Sequence, residues 1–299
     1  MADIEEEALL EKGTYPEQIY KVQDYIEKHL DVPLSVEVLS KVAGFSPFHF
    51  QRIFSLVTGE PLYGFIKRLR LEKAAYMLLS DKERSITDIA LSMGFSNQSS
   101  FAKAFKARYG MSSSAYRKTK KGYDKSAFAV DYNKEIDMSI TPLSIEIRSE
   151  DDLQLIYVRY SGPYKGDSQL FSSLFDQLYQ WASERKLINE LSRWFVIYHD
   201  YGNETDDDLL RISVCLSVGG NVAVSGNVGI MTLPSGKYGV GKFLVSAEEY
   251  GKAWYHMYAI WLPKSKHKIA DRYAFEHYPP QLEGTSKQTV EIYLPLFEE

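Results

Sequence analysis

Two stretches, SVEVLSKVAGFS at residues 35–46 and SITDIALSMGFS at residues 85–96, carry Ser, Gly, Phe and Ser at the same offsets. After one extra residue in the second copy, both continue into two phenylalanines spaced four apart and then a glycine: Phe50, Phe54 and Gly59, followed by Phe101, Phe105 and Gly110. A short apolar helix, a turn containing glycine and a second helix with an aromatic stripe form a helix-turn-helix. Two such patterns, joined by an amphipathic stretch at 61–80, predict a double helix-turn-helix domain.

The charge of the chain is unevenly distributed. All 299 residues together carry −5, whereas residues 41–121, which hold both repeats, contain fifteen Lys and Arg against five Asp and Glu. A local basic segment is what neutralisation of DNA phosphates requires. The acidic N-terminus has no apolar core typical of a signal peptide, no apolar run reaches membrane-spanning length, and the single Cys215 excludes an internal disulfide. We therefore expect a cytoplasmic protein that binds double-stranded DNA and no membrane.

Beyond residue 140 the pattern changes to strand-like alternation. We predict helices at 168–186 and 247–262 and strands at 144–148, 153–160, 194–199, 209–218, 228–233, 238–245, 273–278 and 290–294. Ser-Gly-x-Tyr occurs twice, at 161–164 and 235–238. These features predict two strand-helix-strand-strand repeats in one sheet, with helices on one face and a cleft on the other. The predicted fold class is therefore multidomain: an all-α domain at 1–120, a linker at 121–140 and an α+β domain at 141–299.

Both predicted domains resemble known families. Residues 1–120 resemble the DNA-binding domain of AraC/XylS transcription regulators. The stretches that carry the resemblance are GFSPFHFQRIFSLVTGEPLYGFIKRLRLEKA at 44–74 and IALSMGFSNQSSFAKAFKARYGMSSSAYR at 89–117. The second half resembles the GyrI-like effector-binding domain in YSGPY, LRISVCLSV, SGKYGVGKF, AEEYGKAWYHMY, YAFEHY and TVEIYLPL. This domain order is similar to that of Rob-like regulators. The resemblance implies a transcription regulator modulated by a small-molecule effector, and we also expect RNA polymerase as a partner.

The AraC/XylS resemblance implies that the second helix of each helix-turn-helix enters a major groove, with 61–80 setting a separation of roughly 34 Å. The candidate DNA contacts of the first such helix, 46–58, are Phe48, His49, Gln51 and Arg52. Gln and Arg can pair with adenine and guanine edges, and an aromatic ring can meet a thymine methyl. Phosphate contact by Arg52 and local packing by Phe48 are the alternatives.

The corresponding helix of the second helix-turn-helix, at 97–109, is the second recognition helix. Its candidate DNA contacts are Asn97, Gln98, Ser99, Lys103 and Lys106. Short serine side chains reach few base edges, so this half is expected to anchor the DNA backbone more than to read sequence. Arg108, Arg117 and Lys118 are expected to lie near phosphates.

The GyrI-like resemblance implies an aromatic pocket, often with acidic residues, that accepts planar or cationic molecules. Aromatic rings offer flat contact surface and attract cations. The candidate lining residues are Tyr157, Tyr164, Trp254, Tyr255, Tyr258, Glu276, Glu291 and Tyr293. Alternatively, the glutamates face solvent or pair with a base such as Lys242 or Arg272, and the rings are core residues.

No catalytic or metal-binding motif is present in the sequence. The six histidines lack metal-ligand spacing, and CxxC, a phosphate-binding loop and GxSxG are missing. We predict no enzyme, no cofactor and no metal site. Two alternatives stay open: a GyrI-like hydrolase that uses Glu276 or Glu291 with Tyr293, and a protein-interaction module.

Overall fold

The computed structural model describes residues 15–119, 140–200, 205–220, 222–280 and 287–297. The chain divides into two compact units, with the main division after Tyr123. The predicted linker at 121–140 lies outside the described residues except for residue 140.

The first unit is all-α, as predicted. Its helices are α1 Tyr15–Lys28, α2 Val36–Ala43, α3 Pro47–Thr58, α4 Leu62–Ser80, α5 Ile86–Ser92, α6 Gln98–Tyr109 and α7 Ser113–Arg117. The two helix-turn-helix units are α2–α3 and α5–α6, and α4 connects them. The recognition helices of the sequence prediction are α3 and α6.

Several of the residues that the two repeats share lie at helix ends. The side chains of Ser35 and Ser85 accept hydrogen bonds from the first-turn amides of α2 and α5, which satisfies donors left over at a helix start. Gly44 follows α2 with a φ of +73°, a conformation that glycine adopts without strain. Ser46 caps α3, whereas Asn97 caps α6 one position later in the pattern. The extra residue of the second copy is therefore absorbed in the turn before α6.

Each helix-turn-helix has its own apolar core. The first core joins residues of α1, α2 and α3 to the start of α4 and ends at Leu69. The second begins at Leu71 and joins the rest of α4 to α5, α6 and α7. Helix α4 is thus shared by both cores.

The second unit is an eight-stranded antiparallel sheet with two helical segments, which confirms the predicted α+β class. Its elements are β1 Ser144–Glu150, β2 Leu153–Ser161, α8 Ser168–Glu184, β3 Trp194–Tyr198, β4 Arg211–Ser217, β5 Val228–Leu233, β6 Gly236–Val245, α9 Tyr250–Tyr255, α10 Leu262–Ser265, β7 Phe275–Tyr278 and β8 Gln288–Pro295. Between α9 and α10 the chain continues as a π-helical segment, His256–Trp261.

The sheet contains the two predicted repeats, β2-α8-β3-β4 and β6-α9-β7-β8. The strand order is β1-β6-β8-β7-β3-β4-β2-β5, so the repeats meet through β7 and β3. The two edge strands are exchanged: β1 precedes the first repeat but pairs with β6, and β5 precedes the second repeat but pairs with β2. The sequence did not predict this exchange.

Both helical segments lie on one side of the sheet, called here the helix face. On β7, Glu276 and Tyr278 point to this face, where Trp254 of α9 bonds to Glu276 and Phe175 of α8 packs on Tyr278. A Cβ atom at Gly239 of β6 would lie 2.1 Å from the Trp261 ring, so glycine permits the close approach of the π-helical segment.

Candidate functional site

The N-terminal part of α3 exposes three of its four predicted DNA contacts. Phe48 is 81% exposed, and Gln51 and Arg52 are also exposed. His49 is the exception, because it is half-buried and its ring packs edge-on against Tyr15 and Phe45, at centroid distances of 5.5 and 5.2 Å. The prediction of an exposed His49 is therefore corrected: the start of α1 and the turn before α3 hold its ring.

Helix α6 presents Gln98, Ser99, Lys103 and Lys106 to solvent, and Asn97 precedes it. Two of these side chains already have local partners. Asn97 Oδ1 accepts a hydrogen bond from the Ser100 amide at 2.8 Å, and Gln98 Oε1 accepts one from Thr87 Oγ1 at 3.0 Å. These contacts fix the start of α6. Ser99, Lys103 and Lys106 are then the predicted contact residues that face solvent on α6.

On the helix face of the second unit, a fully buried carboxylate gathers three hydrogen-bond donors. Glu276 Oε1 accepts from Trp254 Nε1 at 2.6 Å. Glu276 Oε2 accepts from Tyr278 Oη at 2.6 Å and from Tyr198 Oη at 3.0 Å. The relative exposure of Glu276 is 0%. The donors come from α9, β7 and β3, so the cluster sits where the two repeats join.

All three donors are neutral, and this determines the electrostatics of the cluster. Burial raises the pKa of Glu276 above its ordinary value, although the bonds from Tyr278, Trp254 and Tyr198 oppose the rise. Burial and the nearby Glu276 charge raise the pKa values of Tyr198 and Tyr278 well above 10, so these hydroxyls stay protonated donors. Among the described residues, no basic side chain hydrogen-bonds to Glu276. The cluster therefore satisfies the hydrogen bonds of the carboxylate without balancing its charge.

Further aromatic rings surround Glu276 and its donors. The ring centroids of Tyr164 and Tyr198 are 5.9 Å apart. Tyr258 of the π-helical segment stacks on Trp254, with 6.0 Å between the ring centroids. Phe175 of α8 contacts Tyr278 at 5.5 Å. We call Glu276, Tyr198, Tyr278, Trp254, Tyr164 and Tyr258 the Glu276 cluster.

The second predicted glutamate lies on the other side of the sheet. Because Glu276 pairs with Ile292 and His277 pairs with Glu291, the two glutamates point to opposite faces. Glu291 Oε2 receives hydrogen bonds from Arg148 Nη1 at 3.1 Å and Tyr293 Oη at 3.2 Å, and lies 3.0 Å from His277 Nδ1.

The charge of Glu291 is balanced, unlike that of Glu276. Burial of Glu291 opposes ionisation, but the bonds from His277 and Arg148 outweigh it and hold the pKa of Glu291 at about 2. A second ion pair adjoins this one, since Arg193 Nη1 lies 2.9 Å from Glu150 Oε2, and Tyr293 Oη donates to Glu150 Oε1 at 3.2 Å.

The eight residues predicted to line the ligand site thus form no single lining. Tyr164, Trp254, Tyr258 and Glu276 come together on the helix face, and Tyr255 is half-buried in α9. Glu291 and Tyr293 belong to the ion-pair network on the opposite face. Tyr157 lies on that face too, paired with Cys215 of β4 and with the Arg159 guanidinium 4.7 Å from its ring centroid. The expectation of one pocket is corrected because residues of odd and even position in a strand face opposite ways.

The expected site also differs in its position and partners. The Glu276 cluster lies under the helices, whereas the sequence placed the cleft on the other face. The basic partners of Glu291 are Arg148 and His277 rather than Lys242 or Arg272, whose guanidinium donates to main-chain carbonyls. Tyr198 and Tyr278 were missed. Tyr278 had a signal, since it follows Glu276 by two residues in a strand.

Within the described ranges, no group of acidic, histidine or cysteine side chains is arranged to hold a metal ion. None of the helices in the described part of the chain has the length and apolar character needed to cross a bilayer.

Comparisons with known proteins cover both units. The model of the GyrI-like small molecule binding domain matches residues 143–296, and that of a helix-turn-helix domain matches residues 39–119. The transcriptional regulator Rob of Salmonella typhimurium is 38% identical over 106 residues, which are 36% of this chain and 35% of Rob. The regulatory protein SoxS of Escherichia coli (strain K12) is 37% identical over 93 residues, 31% of this chain and 86% of SoxS.

The match to Rob therefore spans about a third of that protein. Among solved structures, the C-terminal domain of the response regulator AraT from Geobacillus stearothermophilus is 28% identical to this chain. The match covers 40% of this chain and 93% of the AraT domain, with a TM-score of 0.33. The GyrI-like match alone extends over more than half of the 299 residues. The chain therefore belongs to the GyrI-like family and joins that domain to an AraC-type helix-turn-helix domain.

Proposed function

We propose that the chain is a sequence-specific regulator of transcription that binds double-stranded DNA through α3 and α6 and responds to a small cationic aromatic ligand bound at the Glu276 cluster. The observation that carries the ligand assignment is a fully buried carboxylate held by three neutral donors. RNA polymerase is a proposed partner, and 1–120, 121–140 and 141–299 are the proposed domain, linker and domain.

The DNA assignment is supported by what the two recognition helices expose. Gln51 and Arg52 stand on the solvent side of α3 and offer groups that pair with base edges. Lys103 and Lys106 stand on the solvent side of α6 and offer positive charge for phosphates. Phe48 adds an exposed ring near the start of α3, where it can meet a thymine methyl. We assign base reading chiefly to α3 and backbone anchoring chiefly to α6.

Two substitutions test this division of roles. Arg52→Ala should weaken binding to the preferred duplex by roughly 1–3 kcal/mol and relax preference at one base pair. Lys106→Ala should weaken binding to preferred and random duplexes alike and reduce the slope of log K against log salt by about one. The duplex is obtained by selection from a random library with the full chain, and affinities are measured by fluorescence anisotropy. Equal loss of specificity in both variants would contradict the assignment.

The ligand class follows from the charge of the Glu276 cluster. An incoming cation would stabilise the ionised carboxylate, which burial otherwise disfavours. The rings of Trp254, Tyr164 and Tyr258 supply flat surface for an aromatic ligand and attract positive charge. Because the cluster is closed in this structure, binding requires α9 and the π-helical segment to move from the helix face. Segments with π-helical geometry are frequent at functional sites.

A titration with a matched aromatic cation and anion tests the ligand class. Binding of each dye to the full chain is followed by fluorescence for the wild type, Glu276→Gln and Glu291→Gln. The cation should bind more tightly than the anion, and Glu276→Gln should abolish most of this preference because it keeps the shape and removes the charge. Glu291→Gln is the matched control and should retain the preference, since its carboxylate is already paired. Equal affinities for the two dyes in the wild type would refute the proposal.

The hydrolase alternative is less well supported. Glu276 and Tyr293 lie on opposite faces of the sheet, so they cannot act on one substrate atom together. Glu291 and Tyr293 do touch, but a carboxyl with a pKa of about 2 is a weak base at neutral pH. An interaction module would instead need an exposed aromatic patch, whereas Glu276 and Trp254 are completely buried. We propose that the ligand is bound and released unchanged, which mass spectrometry after incubation would test.

A further inference from the structure

The apolar cores of the two helix-turn-helix units are adjacent along α4. Leu69 is the last α4 residue of the first core and Leu71 is the first of the second, and among the described residues the two clusters share no member. Each core fixes its own recognition helix to α4. Polar contacts between the two helix-turn-helix units would therefore control the position of α6 relative to α3.

Arg70, between those two leucines, makes such a crossing. Its Nη2 donates to the carbonyl of Val32 at 2.7 Å, just past α1, and its Nη1 donates to the carbonyl of Gly94 at 3.2 Å, in the turn between α5 and α6. Gly94 has a φ of +68°, and a Cβ there would lie 2.5 Å from Arg70 Nη2 and 2.8 Å from the Leu30 carbonyl. Glycine at this turn thus allows the second helix-turn-helix to approach the end of α1.

A chain of ion pairs crosses at a second place. Arg68 of α4 donates from Nε to Glu60 Oε1 at 3.0 Å, directly after α3. One helical turn further along α4, Glu72 Oε2 lies 3.2 Å from Arg68 Nη1. Glu72 Oε1 lies 3.2 Å from Nη2 of Arg108, which belongs to the last turn of α6. The side chains of Arg68 and Glu72 are 5% and 0% exposed. The chain Glu60–Arg68–Glu72–Arg108 therefore links the C-terminal ends of the two recognition helices.

These links are directional, unlike apolar contacts. A guanidinium bonds a carboxylate in a narrow range of geometries, and a buried charge that loses its partner is strongly disfavoured. A rotation or translation of α6 relative to α3 would break bonds to Glu72 or to Arg70. We call the DNA segment that one recognition helix contacts a box. Moving one box by a single base pair along the duplex displaces it by about 3.4 Å and rotates it by roughly 35°, which is more than such hydrogen bonds tolerate.

We propose that Arg70 and the ion-pair chain are positioning residues that set the spacing between two DNA boxes that one molecule accepts. The inference rests on the proposed DNA binding. It assigns Arg108 a part in spacing in addition to the phosphate proximity expected from the sequence.

The test compares spacing preference rather than affinity. The full wild-type chain selects a duplex from a random library, and dissociation constants are then measured for that duplex and for versions with one base pair inserted or deleted between the boxes. The variants are Glu72→Gln, Arg108→Gln and Arg108→Lys, with Lys67→Gln as control because Lys67 is an exposed cation on the same helix.

The spacing ratio is the dissociation constant for an altered spacing divided by that for the selected duplex, and it should exceed one for the wild type. Glu72→Gln and Arg108→Gln should reduce this spacing ratio by about 5-fold or more, the usual scale of coupling between two sites. Lys67→Gln should leave the ratio unchanged even if it weakens all duplexes, and Arg108→Lys should recover part of it. A thermal melt of each variant checks folding. Should Glu72→Gln not fold, Arg108→Gln decides the question, since Arg108 is a quarter exposed.

An unchanged ratio accompanied by a lower melting temperature would overturn the inference, because the chain would then be structural only. A wild-type site that contains a single box would also overturn it while leaving DNA binding in place. Failure of the wild type to select any duplex would instead refute the proposed function.

Discussion

Removing the charge of Glu276 and of Glu291 should change the pH dependence of stability in opposite directions. The two side chains are fifteen residues apart on neighbouring strands, and they differ in what faces them. Glu276 has Tyr198, Tyr278 and Trp254. Glu291 has Arg148, His277 and Tyr293. The substitutions are Glu276→Gln and Glu291→Gln.

The signs follow from proton linkage. Burial raises the folded-state pKa of Glu276 above 4.5, so above about pH 4.5 the folded state keeps a proton that the unfolded state has released, and this group lowers stability as pH rises. The folded-state pKa of Glu291 is about 2, below 4.5. Its stabilisation is therefore present above about pH 4.5 and is lost as pH falls towards 2.

The magnitude can be worked out for Glu291. The difference between 4.5 and about 2 corresponds to roughly 3.5 kcal/mol at about 1.4 kcal/mol per pKa unit. A third of the Arg148 side chain is exposed, and solvent screens such a pair. We therefore expect Glu291→Gln to lower the free energy of unfolding by about 2 kcal/mol at pH 7 and by much less at pH 3.

Urea denaturation of the full chain between pH 3 and 8 measures these effects. All four tryptophans lie between residues 181 and 261, so their fluorescence reports unfolding of the second unit. The difference between wild type and Glu291→Gln should grow from pH 3 to about pH 5 and then stay constant, whereas the wild type should lose stability relative to Glu276→Gln as pH rises above about 4.5. Difference curves with the same sign of slope would refute the assignment of balanced and unbalanced carboxylates.

Two further substitutions test local features. Asn97→Ala removes the acceptor of the Ser100 amide at the start of α6 and should cost about 1 kcal/mol of stability, whereas Asn97→Asp should cost much less; calorimetry distinguishes them, and equal losses would argue against a capping role. Gly239→Ala would place a Cβ 2.1 Å from the Trp261 ring and should destabilise the second unit by roughly 1–3 kcal/mol. By contrast, Gly64→Ala, whose Cβ would meet nothing nearer than 3.8 Å, should be neutral or stabilising, so a comparable loss there would remove the steric explanation.

Much of the fold was predictable because local signals decide it. The capping serines, the glycines after helices and the aromatic stripes of 35–110 predict both helix-turn-helix units, and the predicted bounds of α3, α4 and α6 each lie within a residue of those in the structure. In the second unit, alternation located all eight strands. The π-helical segment His256–Trp261 was not predictable from periodicity, since residues 247–262 show no interruption. In the structure, Trp261 and Met257 of this segment pack on Gly239 and Gly241 of β6.

The candidate site was harder to predict because it depends on register. The sequence identified Glu276 and Glu291 as carboxylates in apolar strands, but only the pairing of β7 with β8 shows that they face opposite ways. Likewise, Arg148 comes to Glu291 from a strand 143 positions away through the exchange of β1. His49 was expected to be exposed from its helical position, yet Tyr15 of α1 covers it, a contact between separate helices.

The exchange of β1 and β5 has a consequence for any half-length version of the second unit. A fragment with only β1-β2-α8-β3-β4 would hold a strand for which it has no partner of its own, while the outer edge of β2 would lack the strand that covers it. Two identical fragments would complete each other, with β1 of one copy taking the place of β5 against β2 of the other, and β3 pairing with β3. The two repeats thus pair in the sheet as two subunits of a symmetric dimer would, although one continuous polypeptide carries both.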